Sequence, residues 1–476
     1  MEDKKMLQFV NTALNTFDDL VWGVPLIVLI LATGIYLTIR LKGMQILRLP
    51  AALRYMVQNE EEGHGEVTSF GALCTAMSAT IGTGNIVGVA TAIVAGGPGA
   101  LFWMWVAAFF GMATKYAEGV LAICYRTVDK ETGHVLGGPF YYIENGMGKN
   151  WRWMGKIFAF FGAGVGLLGI GTFTQVNGIT SAVGDFFDSQ KSWTVGVFGR
   201  EYSAAVLIAG LVLTVCVALV VLGGLERIAT VSQIIVPFMA IFYVAACVLI
   251  LIVNAQKVPG AFRLIVESAF GLRAAAGGTL GAVLLAMQKG IARGIFSNEA
   301  GLGSAPIAAA AARTKEPVRQ GLVSMTGTFI DTIVICTMTG LSIVLTGAYE
   351  TGLEGVAVTT YAFNQGLPIP AWASSFLLMV CLIFFAFTTI IGWNYYGERC
   401  LEYLSNGSKR AVAAYRFLYI LAIFIGPFMT VEAVWTIADI FNALMAIPNL
   451  IAVLALSGVI AAQTKDYWKR MGKQAK

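Results

Sequence analysis

The chain has 476 residues, 57% of them hydrophobic and 12% charged, with mean hydropathy +0.74 and a formal net charge of +5. A soluble domain carries about 25% charged residues, so the composition excludes a water-soluble enzyme and defines a polytopic integral membrane protein with no sign of nucleic-acid use. Seven cysteines lack CxxC spacing and lie mostly in apolar runs, and the two histidines, His64 and His134, are in loops; neither disulfides nor a transition-metal centre is expected.

Residues 1–20 mix Glu2, Asp3, Lys4, Lys5, Asp18 and Asp19 with apolar positions and read as a short interfacial segment. The next run, 21–39, has spanning length and no cleavage-like site after it, which makes it a retained N-terminal transmembrane helix. From Val67 to Thr114 there are 48 residues without Asp, Glu, Lys or Arg. At ~1.5 Å per residue that suffices for two crossings of a hydrocarbon core of ~30 Å, hinged at Gly96-Gly97-Pro98-Gly99. Gly82-Thr83-Gly84-Asn85 then falls in the middle of the first crossing, where two glycines and a threonine weaken the helix and an asparagine brings an amide to membrane depth. Non-helical backbone survives there only where it is buried in protein or lines a cavity.

Crossings are predicted at 21–39, 68–94, 99–125, 155–184, 203–224, 228–254, 276–311, 318–346, 370–398, 412–431 and 433–461, about eleven transmembrane helices, followed by a basic tail at 462–476. With the N-terminus outside, the cytoplasmic segments and the span ends beside them hold 22 Lys and Arg against seven outside. That asymmetry gives an N-out, C-in topology and accounts for the positive net charge. After the first helix the remaining ten divide into five-helix repeats, 68–254 and 276–461. The first helix of each is the one most interrupted, by Ile81 to Asn85 in one half and Ser297 to Ser304 in the other. An odd number of helices gives the halves opposite orientations. Matched broken helices in inverted halves point to a secondary transporter with its site at the repeat interface.

The run Gly96 to Gly111, GGPGALFWMWVAAFFG, follows Gly82-Thr83-Gly84-Asn85 and precedes Lys115-Tyr116-Ala117-Glu118. Together with Asn298-Glu299-Ala300-Gly301-Leu302-Gly303-Ser304-Ala305-Pro306 it resembles the alanine or glycine:cation symporter family across roughly 20 to 460. The resemblance implies a bacterial or archaeal sodium-coupled carrier of small neutral amino acids in the plasma (inner) membrane. It also implies the all-α 5+5 inverted-repeat fold of sodium-coupled leucine transporters, with a discontinuous first helix in each half and one additional N-terminal helix. Sodium is the implied coupling ion, alanine or glycine the implied substrate, and no organic cofactor or protein partner is expected. Ala309 stands where many relatives carry a histidine, which bears on substrate preference.

A helix broken at mid-membrane presents free N–H groups from one half to a carboxylate and free C=O groups from the other to a cation. Gly82, Thr83, Gly84 and Asn85 are therefore candidate substrate ligands, against the reading that the glycines serve helix packing. The leucine-transporter fold implies sodium ligands at the carbonyls of Ser78 and Ile81 and the hydroxyls of Thr388 and Thr389; those hydroxyls could instead bond back to their own helix. Phe173 and Gln175, in an unusually polar stretch, are candidates for the pocket wall, although Gln175 could equally bridge helices. Trp393, one turn beyond Thr389, could close the pocket or only pack. Asn298 is a candidate substrate ligand. Glu299 is expected to pair with Lys289 or Arg293, and Lys115 with Glu118, while Asp331 is either a structural counter-charge or part of a coupling relay. The alternatives are a proton-coupled carrier using Asp331 or Glu299 and, with less support, an intramembrane enzyme or channel, for which no nucleophile-base pair, metal set or filter repeat is visible.

Overall fold

The computed structural model describes residues 12–474 apart from 15, 19, 59, 61, 62, 129–133, 191, 198, 199, 272–278 and 429–431. Most of the 1–20 segment and the end of the 412–431 crossing thus lie outside the described residues. Among those described, eight helices are long and apolar enough to cross a membrane, and a ninth crossing is a pair bent by 55°.

The first helix, α1 (Val24–Arg40), is apolar but short. The bent pair follows: α2 (Ser69–Thr80), a π-helical turn over Gly84–Gly88, and α3 (Val89–Gly96). Gly97, at φ +73°, turns the chain into α4 (Gly99–Cys124). Then come α5 (Arg152–Leu168), α6 (Phe173–Phe187), α7 (Ala204–Val221) and α8 (Gly224–Val253). A second discontinuous pair, α9 (Thr279–Asn298) and α10 (Ala305–Ala310), is followed by α11 (Pro317–Thr328), a π-helical stretch over Phe329–Cys336, and α12 (Thr337–Thr346). The bundle closes with α13 (Ala371–Leu404), α14 (Lys409–Ile425), α15 (Glu432–Ala455) and α16 (Ser457–Gln474).

The expectation of eleven crossings meets eight such helices, the bent pair, the short α1, and α9–α10, whose Gln288, Lys289 and Arg293 dilute its apolar run. The predicted span 155–184 is longer than expected and broken at Gly169–Thr172. A Cβ on Gly169 would stand 1.8 Å from the Ala438 Cβ, so only glycine lets α15 approach there. Residues 462–474 of the basic segment belong to α16, which lies back on the bundle through Tyr467 to Tyr55, Arg48 over Trp468, and Arg470 to Glu316.

Position in the bundle follows hydropathy. On α7 and α8, Ile208, Leu211, Val215, Leu219, Ile234, Phe238, Ile241 and Ile252 are exposed, as lipid-facing helices require. By contrast, α4 is the axial helix, with Lys115, Tyr116 and Glu118 buried in its second half and α9, α10 and α11 packed around it. The ends of α2 and α10 away from Gly97 are joined in one small body. Arg313 N–H donates to Val67 C=O at 2.7 Å and Glu66 N–H to Ala311 C=O at 2.9 Å. Arg126 reinforces it with 2.6–2.7 Å bonds to the carbonyls of His64, Ala310, Ala312 and Thr314.

Candidate functional site

The first break is held open by side chains rather than by helical bonds. Gly82 N–H donates to Asn85 Oδ1 at 3.0 Å, and Thr83 N–H to Gln175 Oε1 at 3.4 Å. On the carbonyl side, Thr389 Oγ1 donates to Ile81 C=O at 3.4 Å and to Phe385 C=O at 3.1 Å. Gly82 admits this approach: a Cβ there would stand 2.4 Å from Thr389 Oγ1 and 3.4 Å from Gln175 Oε1. Two of these contacts are at the long limit for a hydrogen bond, and both lie on groups that a charged partner would satisfy better. Amides of Gly82 and Thr83 and the carbonyl of Ile81 therefore form one polar gap between α2, α6 and α13.

The surroundings limit its size. Gly178 faces the Thr83 methyl, 2.9 Å from where a Cβ would stand, and Gly84 faces the Phe296 ring at 3.6 Å on the same measure. Phe173 and Gln175 are buried on the first turn of α6, which begins at the Gly169–Thr172 break. Ser78 reaches α13 where Gly392 has no side chain; its own hydroxyl donates back to Thr75 C=O. The Thr388 hydroxyl bonds to Phe385 C=O and lies 3.5 Å from Met239 Sδ, away from Ile81.

The two breaks are tied by Asp331. Its fully buried carboxylate accepts from Asn85 Nδ2 at 2.7 Å, Ser297 Oγ at 2.8 Å and Thr332 Oγ1 at 2.7 Å. Asn85 is thereby fully engaged: its amide also reaches Ser297 at 3.1 Å, its Oδ1 takes the Gly82 N–H, and its C=O accepts from Thr339 at 2.8 Å. One asparagine links both broken helices to the π-helical stretch carrying Asp331. Such a stretch inside an α-helix commonly marks a functional position.

The second break departs from the charge pairings read in the sequence. Glu299 adopts φ +54°, and its carboxylate accepts from Trp393 Nε1 at 3.1 Å and from Ser304 Oγ. It pairs with neither Lys289 nor Arg293, because the chain reverses at Glu299 and carries it to α13. Trp393, fully buried, props this turn. Asn298 caps its own turn, accepting from Ala300 N–H at 2.9 Å and donating to Thr332 Oγ1 at 3.1 Å. Lys115 makes no ion pair with Glu118, which receives Asn449 Nδ2 at 2.6 Å; it remains the buried cation acting on Glu118, Glu299 and Asp331 together. Thr332, Thr339 and Asn449 were not singled out from the sequence, and Ser297 only as the start of the second interruption. The closest signal was Asp331, isolated in the predicted 318–346 helix, a pattern that implies buried donors without naming them.

Two discontinuous helices meeting at mid-bundle, with buried polar groups and no helical continuity, define a membrane transporter of the leucine-transporter fold. The solved structure of MhsT in complex with L-phenylalanine shares that fold, with a TM-score of 0.59 over 85% of this chain and 93% of that chain at 14% identity. The sodium:alanine symporter family model matches residues 7–476, and the chain belongs to that family. A sodium/alanine symporter of Methanococcus maripaludis is 47% identical over 99% of this chain and 100% of its own length. An uncharacterized transporter of Haemophilus influenzae is 54% identical over 97% of each chain, and a probable sodium/glutamine symporter of Bacillus subtilis is 40% identical over 98% of this chain and 93% of its own. The protein is a multi-pass amino-acid:cation symporter, not an enzyme.

Proposed function

We propose that this protein imports small neutral amino acids, alanine or glycine, by sodium-coupled alternating access across the plasma membrane. The observation carrying this reading is the gap at the first break, where the N–H groups of Gly82 and Thr83 and the C=O of Ile81 stand on opposite sides of one interruption. The substrate carboxylate takes the Thr83 amide in place of Gln175, which turns to the substrate, and the Gly82 amide in place of the Asn85 Oδ1. Sodium takes the carbonyls of Ser78 and Ile81 with Thr389, and Thr388 joins when its hydroxyl turns from Phe385. Neutral ligands suit release into the cell, since an uncompensated carboxylate would hold the ion more tightly. Phe173, with Thr83 packed on Gly178, restricts the side chain.

The repeats 68–254 and 276–461 supply one broken helix each. The basic face, holding Arg126, Arg313 and Arg470, is cytoplasmic, which sets the N-terminus outside. Uptake of labelled alanine into proteoliposomes driven by a sodium gradient alone, compared with a pH gradient alone, tests the coupling. Sodium-driven accumulation is expected, and accumulation only with the pH gradient would assign coupling to protons. That second reading rests on the buried carboxylates Asp331, Glu299 and Glu118.

A further inference from the structure

Between α6, α7, α8 and α13 the bundle holds a cavity of about 640 Å³, apart from the polar gap at the first break. Of the fourteen side chains lining it, the Trp193 indole and the Cys216 thiol alone carry a polar atom. Such a wall offers an ion or an amino-acid zwitterion nothing in place of its lost hydration. On α7 the lining residues run from Ala205 to Cys216 along one helical face, about 16 Å at ~1.5 Å per residue. That length matches half of a hydrocarbon core of ~30 Å, the depth of one leaflet. Ile208 and Val212 line the cavity and are half-exposed, so it opens onto the lipid-facing surface of α7.

The mouth is built. Trp193 N–H donates to Asp188 Oδ1 at 3.4 Å, and Trp193 C=O accepts from Ala204 N–H at 2.8 Å. Asp188 also accepts from Ser192 N–H at 2.8 Å and from the Ser203 hydroxyl at 2.7 Å, which ties the end of α6 to the start of α7. The Trp193 indole N–H makes no hydrogen bond with a described residue. A tryptophan with its ring on an apolar cavity and its N–H free suits the level of lipid ester groups. At the deep end, Phe387 directly precedes Thr388 and Thr389 on α13, and Ile179 lies one turn beyond Gln175 on α6. An apolar void open to lipid is filled by hydrocarbon, because its walls otherwise forfeit their dispersion contacts. We propose that this cavity holds one acyl chain of a membrane phospholipid, its ester end at Trp193 and its methyl end at Phe387. The chain is wedged behind the two helices that carry Gln175 and Thr389. This assignment stands whatever solute the first break binds.

The test is photo-crosslinking of the full-length protein in phosphatidylethanolamine and phosphatidylglycerol vesicles. A trace of phosphatidylglycerol carries a diazirine midway along one chain, and adducts are mapped by peptide mass spectrometry. Adducts on Ile383 to Phe387 should saturate as the probe fraction rises and fall when unlabelled phosphatidylglycerol is added. Adducts on Ile241 and Ile252, which face bulk lipid, should rise in proportion to the probe. Ala209→Trp fills the cavity from α7 and should lose the first set while keeping the second, which also reports that the variant is folded and inserted. Val183→Trp repeats the test from α6. Adducts on Ile383 to Phe387 that never saturate, or that survive in both variants, would overturn the proposal. Equal labelling of these residues by a diazirine palmitic acid would assign the cavity to a free fatty acid and overturn the phospholipid.

Discussion

Gly82 and Gly84 are equivalent in the sequence, yet they occupy different surroundings. A Cβ on Gly82 would collide with Thr389 Oγ1 at 2.4 Å, whereas one on Gly84 meets the Phe296 ring at an ordinary 3.6 Å. Gly82→Ala should therefore separate α2 from α13 and reduce alanine uptake more than tenfold, while Gly84→Ala leaves the fold and its Tm unchanged; initial-rate uptake and thermal unfolding in detergent measure both. Removing one oxygen ligand costs about 1 kcal/mol, so Thr389→Ala should raise the sodium concentration for half-maximal uptake roughly fivefold. An unchanged sodium titration would remove Thr389 from the ion site. Asp331→Asn puts an amide among three hydrogen-bond donors, and should destabilise the fold by roughly 1–3 kcal/mol, seen as a lower Tm. At this scale residue types were legible in the sequence but their partners were not. Asp331 stood out as a charge in an apolar run, yet two of its three donors come from 34 and 246 residues away, distances at which spacing carries no signal.

Among the elements, both interrupted helices were legible because glycines and polar residues cluster where helical bonding fails. The break at Gly169–Thr172 was not, since its cause is the close approach of Ala438 and of Trp393 Cβ, which packs where a Gly171 side chain would stand. The ends of α2 and α10 have a further device that composition could not reveal. His134 bridges Glu66, just before α2, and Glu402 on α13, with Nδ1–Oε1 2.8 Å and Nε2–Oε1 3.1 Å, while Arg399 joins Glu402 at 2.6 Å. Hydrogen bonds donated by its ring to Glu402 and Glu66 push His134 up to about 9, against desolvation and the opposing charge of Arg399. A raised pKa means the bridge contributes fully below about pH 6.5 and is lost as pH rises through about 9. Thermal stability should accordingly fall between pH 6.5 and 9.5, and His134→Ala should flatten that part of the profile. Arg126→Ala should lower Tm further, since four carbonyl bonds are lost at roughly 2–4 kcal/mol net.

For the whole molecule, composition was enough to assign a polytopic membrane protein, the lengths of the apolar runs gave its helical crossings, and the Gly96–Gly111 run was enough to point to the family. What escaped was the arrangement of charge. Sequence neighbours suggested Glu299 with Lys289 or Arg293, but the left-handed turn at Glu299 sends it to Trp393 and leaves both cations lining a separate cavity with Asp18 and Asp439. In the proposed mechanism coupling is a property of the assembled bundle, because the amides of the first break face Gln175 on α6 and the Ile81 carbonyl faces Thr389 on α13. An ion that orders this break must tighten substrate binding, and substrate must tighten ion binding by the same factor, typically 5–150-fold for 1–3 kcal/mol of coupling. Calorimetric titration of alanine into the purified protein in sodium and in choline measures that factor. Alanine should bind at least about fivefold more tightly in sodium, with sodium affinity rising equally when alanine is present; equal alanine affinities in the two salts would contradict sodium coupling at this site.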